Sequence, residues 1–209
     1  MVRSYPNIVV TGTPGTGKTT LASQICETFT NASGDRVLRH IDVGSLVKKN
    51  GFHKSYDEEW ETYEVDEDQL LDHLEPMTGG TAPDPLEEDP AGSNDAREVG
   101  DDEDTRGGLV LDWHTCDVWP ERWADLVIVL RCDHQILWKR LEKRGYSEKK
   151  IAENNEAEIM GVVADDATDS YAPESIVTLT SEDAEEMESN LERVVQWIHA
   201  WRQQRGLEL

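Results

Sequence analysis

The chain has 209 residues, 37% of them hydrophobic, which suits one domain with a sizeable interior. Its formal net charge is −24; such a surface repels nucleic acid and anionic membrane in bulk and favours basic partners, unless the acidity only provides solubility. No stretch approaches the roughly 18 apolar residues of a membrane span, and the three cysteines, Cys26, Cys116 and Cys132, form no metal-spaced pair and suggest half-buried thiols in a reducing compartment.

Residues 1–5 lead almost directly into a first strand, Asn7-Ile8-Val9-Val10, leaving no room for a signal peptide. Thr11-Gly12-Thr13-Pro14-Gly15-Thr16-Gly17-Lys18-Thr19-Thr20 follows and fits the phosphate-binding pattern G-x-x-x-x-G-K-[ST]. Leu21, Ala22 and Ile25 then fall at helical spacing, so the motif has the strand before it and the helix after it that it needs. Its glycines let backbone N–H groups approach phosphate oxygens, and the helix starting at Lys18 points its positive end at them. Lys18 can reach the β- and γ-phosphates, and the Thr19 hydroxyl can ligate Mg²⁺. The chain is expected to bind a nucleoside triphosphate.

That helix runs to about Phe29, and Val37-Leu38-Arg39-His40-Ile41 reads as a second strand. Asp42 and Ser45 are candidate caps for a short helix at 46–49. Residues 52–63 are acidic and aromatic, with Tyr56, Asp57, Glu58, Glu59, Trp60 and Tyr63. Asp66, with Gln69 three residues on, should cap a helix carrying Leu70, Leu71 and Leu74. Residues 76–106 hold ten acids against two bases, several prolines and glycines, and no apolar periodicity, so a disordered insertion is expected there. The insertion accounts for −8, and −16 remains on the rest of the chain.

Order should resume with Leu109-Val110-Leu111-Asp112, a buried strand ending in a carboxylate. Pro120 opens a helical turn, and Leu126-Val127-Ile128-Val129-Leu130 is apolar throughout, as a central parallel strand should be. Asp133 caps a helix that Gly145 ends, and Ser147 caps a long helix through Ile151, Ile159 and Val163. Ile176-Val177-Thr178-Leu179 is the last strand, and Ser181 opens a closing helix with Leu191, Val194, Val195 and Ile198. Strands alternating with helices predict an α/β fold with a parallel sheet of about five strands flanked by helices on both faces. Ligands of such sheets sit at the carboxyl ends of the strands, where the phosphate loop, Asp42 and Asp112 should converge.

Asp112 stands where a Walker B acid would and can hold Mg²⁺ opposite Thr19. His114, two residues on, either orients a water or phosphate or simply packs. Arg144-Gly145-Tyr146-Ser147-Glu148-Lys149-Lys150 joins two helices, and its bases, helped by Arg140 and Lys143, can close over a triphosphate. No guanine-reading N-K-x-D occurs, which points away from a GTPase.

The phosphate loop, Asp42-Val43-Gly44, Tyr56-Asp57-Glu58-Glu59, Leu111-Asp112-Trp113-His114-Thr115-Cys116-Asp117, Pro120-Glu121-Arg122-Trp123 and the segment from Arg144 through Ile151 together resemble the adenylate kinase isoenzyme 6 family, also called coilin-interacting nuclear ATPase. The D-x-H-x-C-D and R-G-Y-x-E-K-K segments are the specific ones. The resemblance covers the chain except residues 76–106. It implies a P-loop NTPase fold of the NMP-kinase type across residues 1–209, with an NMP-binding region at 42–65 and a short lid at 143–153. It implies adenylate kinase and ATPase activity with ATP and Mg²⁺, and AMP as phosphoryl acceptor. It also implies a role in maturing the small ribosomal subunit and processing its rRNA, with a basic small-subunit ribosomal protein as partner, in nucleus and cytoplasm. A purely metabolic nucleoside monophosphate kinase is the alternative. Gly15, Gly17, Lys18, Thr19, Thr20 and Arg144 carry over as ATP-binding, and Asp112 and His114 as the Walker B-type pair; with the residue reading above, Thr19 and Asp112 are the expected metal ligands and Lys18, Asp112 and His114 the expected catalytic residues. Direct nucleic-acid binding and membrane association are not expected. One departure is Lys48, where adenylate kinases commonly place an AMP-gripping arginine; a lysine cannot make the same bidentate contact. The other is the acidic insertion.

Overall fold

Three short apolar runs, β1 (Ile8–Thr11), β5 (Leu109–Asp112) and β6 (Leu126–Arg131), form the middle of a five-stranded sheet, and all their residues except Arg131 are buried. The computed structural model describes residues 3–31, 33–57, 62–79 and 107–207. β2 (Arg39–Asp42) and β7 (Ile176–Thr180) close the two edges, the order is β2-β5-β1-β6-β7, and every pairing is parallel. Central strands covered on both faces have no polar side to show, which is why they read as unbroken apolar runs.

Alternation along the strands divides the interior in two. Ile8, Val10, Val110, Ile128 and Leu130 face α1 (Lys18–Thr28) and α7 (Ala184–Gln204), which contribute Leu21, Ile25, Val194 and Ile198. Val9, Leu109, Leu111, Val127 and Val129 face α2 (Val43–Asn50), α3 (Glu67–Leu74) and α6 (Val162–Ser170). Each fully buried Leu or Ile on these faces contributes roughly 1.5–3 kcal/mol relative to exposure. A smaller cluster of Leu137, Leu141 and Ile151 joins α4 (His134–Lys143) to α5 (Glu148–Met160). The cysteines are free and fully buried rather than half-buried, and burial pushes the Cys26 and Cys116 thiols up to about 12. Among the described residues no helix is long and apolar enough to cross a membrane.

The expected caps at Asp42, Asp66, Asp133 and Ser147 are in place, each side chain accepting from a backbone N–H of the first turn. Four details differ from the sequence reading. Residues 53–65 form an antiparallel hairpin, β3 (His53–Asp57) and β4 (Thr62–Val65), held by Tyr63 against His53 and Tyr56 at ring distances of 4.5 and 4.8 Å. Glu58, Glu59 and Trp60 lie outside the described residues. The long helix after Ser147 is two helices, because Gly161 sits at φ 76° and ends α5 before α6 begins. Asp183, not Ser181, caps α7; the Ser181 N–H donates to Arg131 O at 2.8 Å and prolongs the sheet pairing. Residues 76–79, where disorder was expected to begin, are packed through Thr78, which is 1% exposed and whose carbonyl accepts from Asn7 Nδ2 at 2.8 Å. Residues 80–106 lie outside the described residues.

Candidate active site

The register brings the carboxyl ends of the inner strands level, with Asp42 opposite Asp112 and Val10 opposite Asp112 across β5. The phosphate loop leaves β1 at this edge. Gly12 has φ 140°, and a Cβ there would collide with the Leu130 carbonyl, so the chain turns beneath β6 only with glycine. Gly17 takes φ 100° and hands over to α1, whose first turn has no side-chain cap, unlike α2, α3, α4, α5 and α7. Uncapped N–H groups at a helix start form an anion site.

Lys18 curls back over this loop, its Nζ donating to Gly12 O at 2.8 Å and Thr13 O at 3.1 Å. Burial, and then the Arg144 guanidinium, lower its pKa to about 8 against the opposing pull of Asp112, so the ammonium remains mostly charged at pH 7. Asp112 is 5% exposed, and one of its oxygens lies 3.4 Å from His40 Nε2. His114 is exposed as a residue, yet desolvation by its surroundings and then the Lys18 ammonium lower its pKa to about 4, so it is neutral at pH 7. The segment that carries Asp112 and His114 is braced by Tyr171, whose hydroxyl donates to Cys116 O at 2.6 Å and Trp119 O at 3.3 Å.

Two clefts open on either side of the loop. The first, about 690 Å³, is lined by Lys18, Thr19, Asp112 and His114 at its floor. Lys48, Tyr63 and Val65 form one wall, and Arg144, Tyr146, Lys150 and Asn154 the other. The second, about 640 Å³, is lined by Gly15, Gly17, Thr20, Arg140, Lys143, Arg144 and Ser181. Arg144 lines both. Every site residue expected from the sequence therefore lines one or both clefts. Arg140 is engaged differently from that expectation: its guanidinium donates to Gly15 O, Ser181 O and Glu182 O, clamping the loop after β7 to the phosphate loop. Asp42 faces the first cleft but spends its carboxylate on the Ser45 N–H and hydroxyl.

The donor set suits Mg²⁺. Thr19 offers a hydroxyl oxygen and Asp112 a buried carboxylate in one cleft. Among the described residues no group of three or more His, Cys, Asp or Glu could hold a metal ion unaided. Mg²⁺ needs few protein ligands and completes its shell with phosphate and water oxygens.

Sequence reasoning missed His40, Arg131 and Glu158. Glu158 is 3% exposed, pairs with Arg131 at 2.6 Å and accepts the Thr13 hydroxyl at 2.5 Å. The available signal was its place on the buried face of α5 after Ile151 and Asn155, at spacings of four and three residues.

A family model described as AAA domain matches residues 8–161. The adenylate kinase isoenzyme 6 homolog of Schizosaccharomyces pombe is 46% identical over 200 residues, covering 96% of this chain and 95% of the relative. That of Saccharomyces cerevisiae is 41% identical over 202 residues, covering 97% and 86%, and that of Caenorhabditis elegans 38% over 206 residues, covering 99% and 96%. A solved shikimate kinase from Bacteroides thetaiotaomicron superposes with a TM-score of 0.51 at 14% identity, over 93% of this chain and 98% of that one, a likeness of fold alone. With a P-loop sheet, two clefts meeting at the phosphate loop and near-full-length relatives of one name, the chain belongs to the adenylate kinase isoenzyme 6 family and has that family's P-loop kinase fold.

Proposed function

We propose that the protein transfers the terminal phosphoryl group of ATP to AMP, releases it to water when no acceptor is bound, and uses this cycle as an assembly factor on the small ribosomal subunit. The observation that carries the enzymatic part is the pair of clefts meeting at one phosphate loop and sharing Arg144. ATP lies with its nucleoside in the second cleft and its phosphates across the loop; AMP enters the first from the Lys48 and Tyr63 side.

An AMP phosphate oxygen attacks the γ-phosphorus in line. The bond from that phosphorus to the β–γ bridging oxygen breaks, and that oxygen's electron pair leaves with ADP, giving two ADP. Lys18 and Arg144 offset charge on the equatorial and bridging oxygens, the largest contribution open to a protein in this chemistry. The uncapped N–H groups of α1 hold the β-phosphate. Thr19 and Asp112 would hold Mg²⁺, which would supply further charge neutralisation. Neutral His114 can orient the attacking oxygen without adding charge. Lys48 lies 5.9 Å from the Tyr63 ring centroid, and as a point charge it grips an AMP phosphate less firmly than a bidentate arginine. A weakly held acceptor and a lid with one arginine favour leakage to water.

The assembly role is supported by the family relationship and by a charge that a free nucleotide kinase does not need: −24 on the whole chain, −16 outside residues 76–106. The test is a steady-state assay with ATP alone and with ATP plus AMP, each with and without a basic small-subunit ribosomal protein, with Lys18→Ala as control. The expected result is turnover in both arms, a rate altered by the basic protein, and turnover reduced about a thousandfold or more in folded Lys18→Ala. Near-wild-type activity in Lys18→Ala would refute the phosphate-loop chemistry. AMP phosphorylation with no binding or rate effect of the basic protein would leave the metabolic kinase as the function.

A further inference from the structure

A carboxylate taken out of water needs strong partners, and Glu158 has them from three directions. One oxygen accepts from Arg131 Nε at 2.6 Å and from the Cys132 N–H at 3.0 Å, both at the end of β6. The other accepts from the Thr13 hydroxyl inside the phosphate loop at 2.5 Å. The Glu158 carbonyl accepts from the same guanidinium at 2.6 Å. Thr13 is itself 2% exposed.

Thr13 is also the residue on which the loop folds. Its carbonyl accepts from Thr16 N–H at 3.3 Å, from the Thr16 hydroxyl at 2.9 Å and from Lys18 Nζ at 3.1 Å. The peptide that parks the Lys18 ammonium is thus fixed by a side chain whose far end is held by Glu158. The same helix walls the first cleft through Lys150, Glu153, Asn154 and Ala157, and Glu158 follows directly. An apolar residue at this position would fill the space but could not fix a hydroxyl in direction.

We propose that Glu158 is a positioning residue for phosphoryl transfer. By holding Thr13 against the end of β6 it sets the shape of the phosphate loop and the point from which Lys18 reaches the transferred group. It also ties that loop to α5, the helix whose first turns lie in the expected lid. The inference rests on the phosphoryl-transfer reading above.

The experiment compares wild type with Thr13→Val, Thr13→Ser, Glu158→Gln and the Thr13→Val/Glu158→Gln double variant. Three quantities are measured: kcat and KM with ATP plus AMP, ATP affinity by calorimetry, and melting temperature. Thr13→Val replaces the hydroxyl by a methyl group of similar size and leaves Glu158 in place, so it carries the test even if Glu158→Gln fails to fold. A misplaced reacting group typically costs up to about a hundredfold, so kcat should fall about ten- to a hundredfold in Thr13→Val while ATP affinity changes less than about threefold. Thr13→Ser should restore the rate. The double variant should be no slower than the slower single, because both changes cut one tie. Wild-type kcat in folded Thr13→Val, effects that multiply in the double variant, or losses that follow melting temperature alone would overturn the proposal. Absence of turnover in the wild type would instead refute the phosphoryl-transfer reading itself.

Discussion

Asp112 ends a strand that is otherwise apolar, and that position makes a sharp prediction at the scale of one residue. Its carboxylate is buried, with His40 at 3.4 Å and the Lys18 charge near enough to shift against it. The uncapped N–H groups of α1 are available to phosphate without it. Asp112→Asn keeps the shape and removes the charge, so it should lower kcat about a hundredfold and ATP affinity less than about threefold, the pattern of an interaction made mainly as charge develops. Calorimetric affinity beside steady-state rates checks this, and equal losses in both would assign Asp112 to ground-state binding. Lys18 and Thr19 were legible in the sequence because the phosphate-loop motif fixes their spacing, and Asp112 because it ends an apolar strand. Glu158 was not, because it is one of 44 acids and only its packing sets it apart.

At the scale of elements, legibility followed burial. β1, β5 and β6 announce themselves because every residue but Arg131 is covered. The β3–β4 hairpin does not, because none of its strand residues is buried and its strands meet through aromatic contacts. The break at Gly161 was hidden by apolar residues continuing at helical spacing on both sides, and its consequence is that Ile159, Met160 and Val162 are left exposed at the corner. The Ser181 misreading has a similar cause: a residue of good capping type is drawn into the sheet edge by Arg131. The two chain ends that flank residues 80–106 both meet Arg3. Its guanidinium donates to Thr78 O at 3.3 Å, and its aliphatic stem lies where a Cβ on Gly107 would be, 2.6 Å from Cδ. A short connection can therefore close the same structure. Deleting residues 81–105 should leave ATP turnover within about twofold and the melting temperature unchanged or slightly raised, since shortening a loop lowers its closure entropy only slowly. Loss of folding or of hydrolysis in that variant would show that the segment contributes packing.

At the scale of the whole molecule, the acidity belongs to the folded body as well as to residues 76–106. On one face Asp117, Asp165, Asp166 and Asp169 crowd together. Asp166 has a raised pKa, first through partial burial and then through its three acidic neighbours. Ionised carboxylates held this close repel one another, and a cationic partner would relieve that repulsion. The acids of α7, including Glu185, Glu188 and Glu192, extend the same sign over a second exposed surface. A basic small-subunit ribosomal protein should therefore associate fast at low salt, and its affinity should fall at least about tenfold between about 0.05 and 0.5 M NaCl, as screening shortens from beyond about 10 Å to a few ångströms. Nucleotide should change that affinity only if the partner prefers one lid position, because a ligand moves an equilibrium no further than its difference in affinity for the two states. Titration of the purified pair across salt, without nucleotide and with ADP or a non-hydrolysable ATP analogue, measures both effects. Tight binding that ignores salt would place the contact on apolar surface. A salt-sensitive complex that ignores nucleotide would keep the electrostatic partner and remove the proposed use of the nucleotide cycle in assembly.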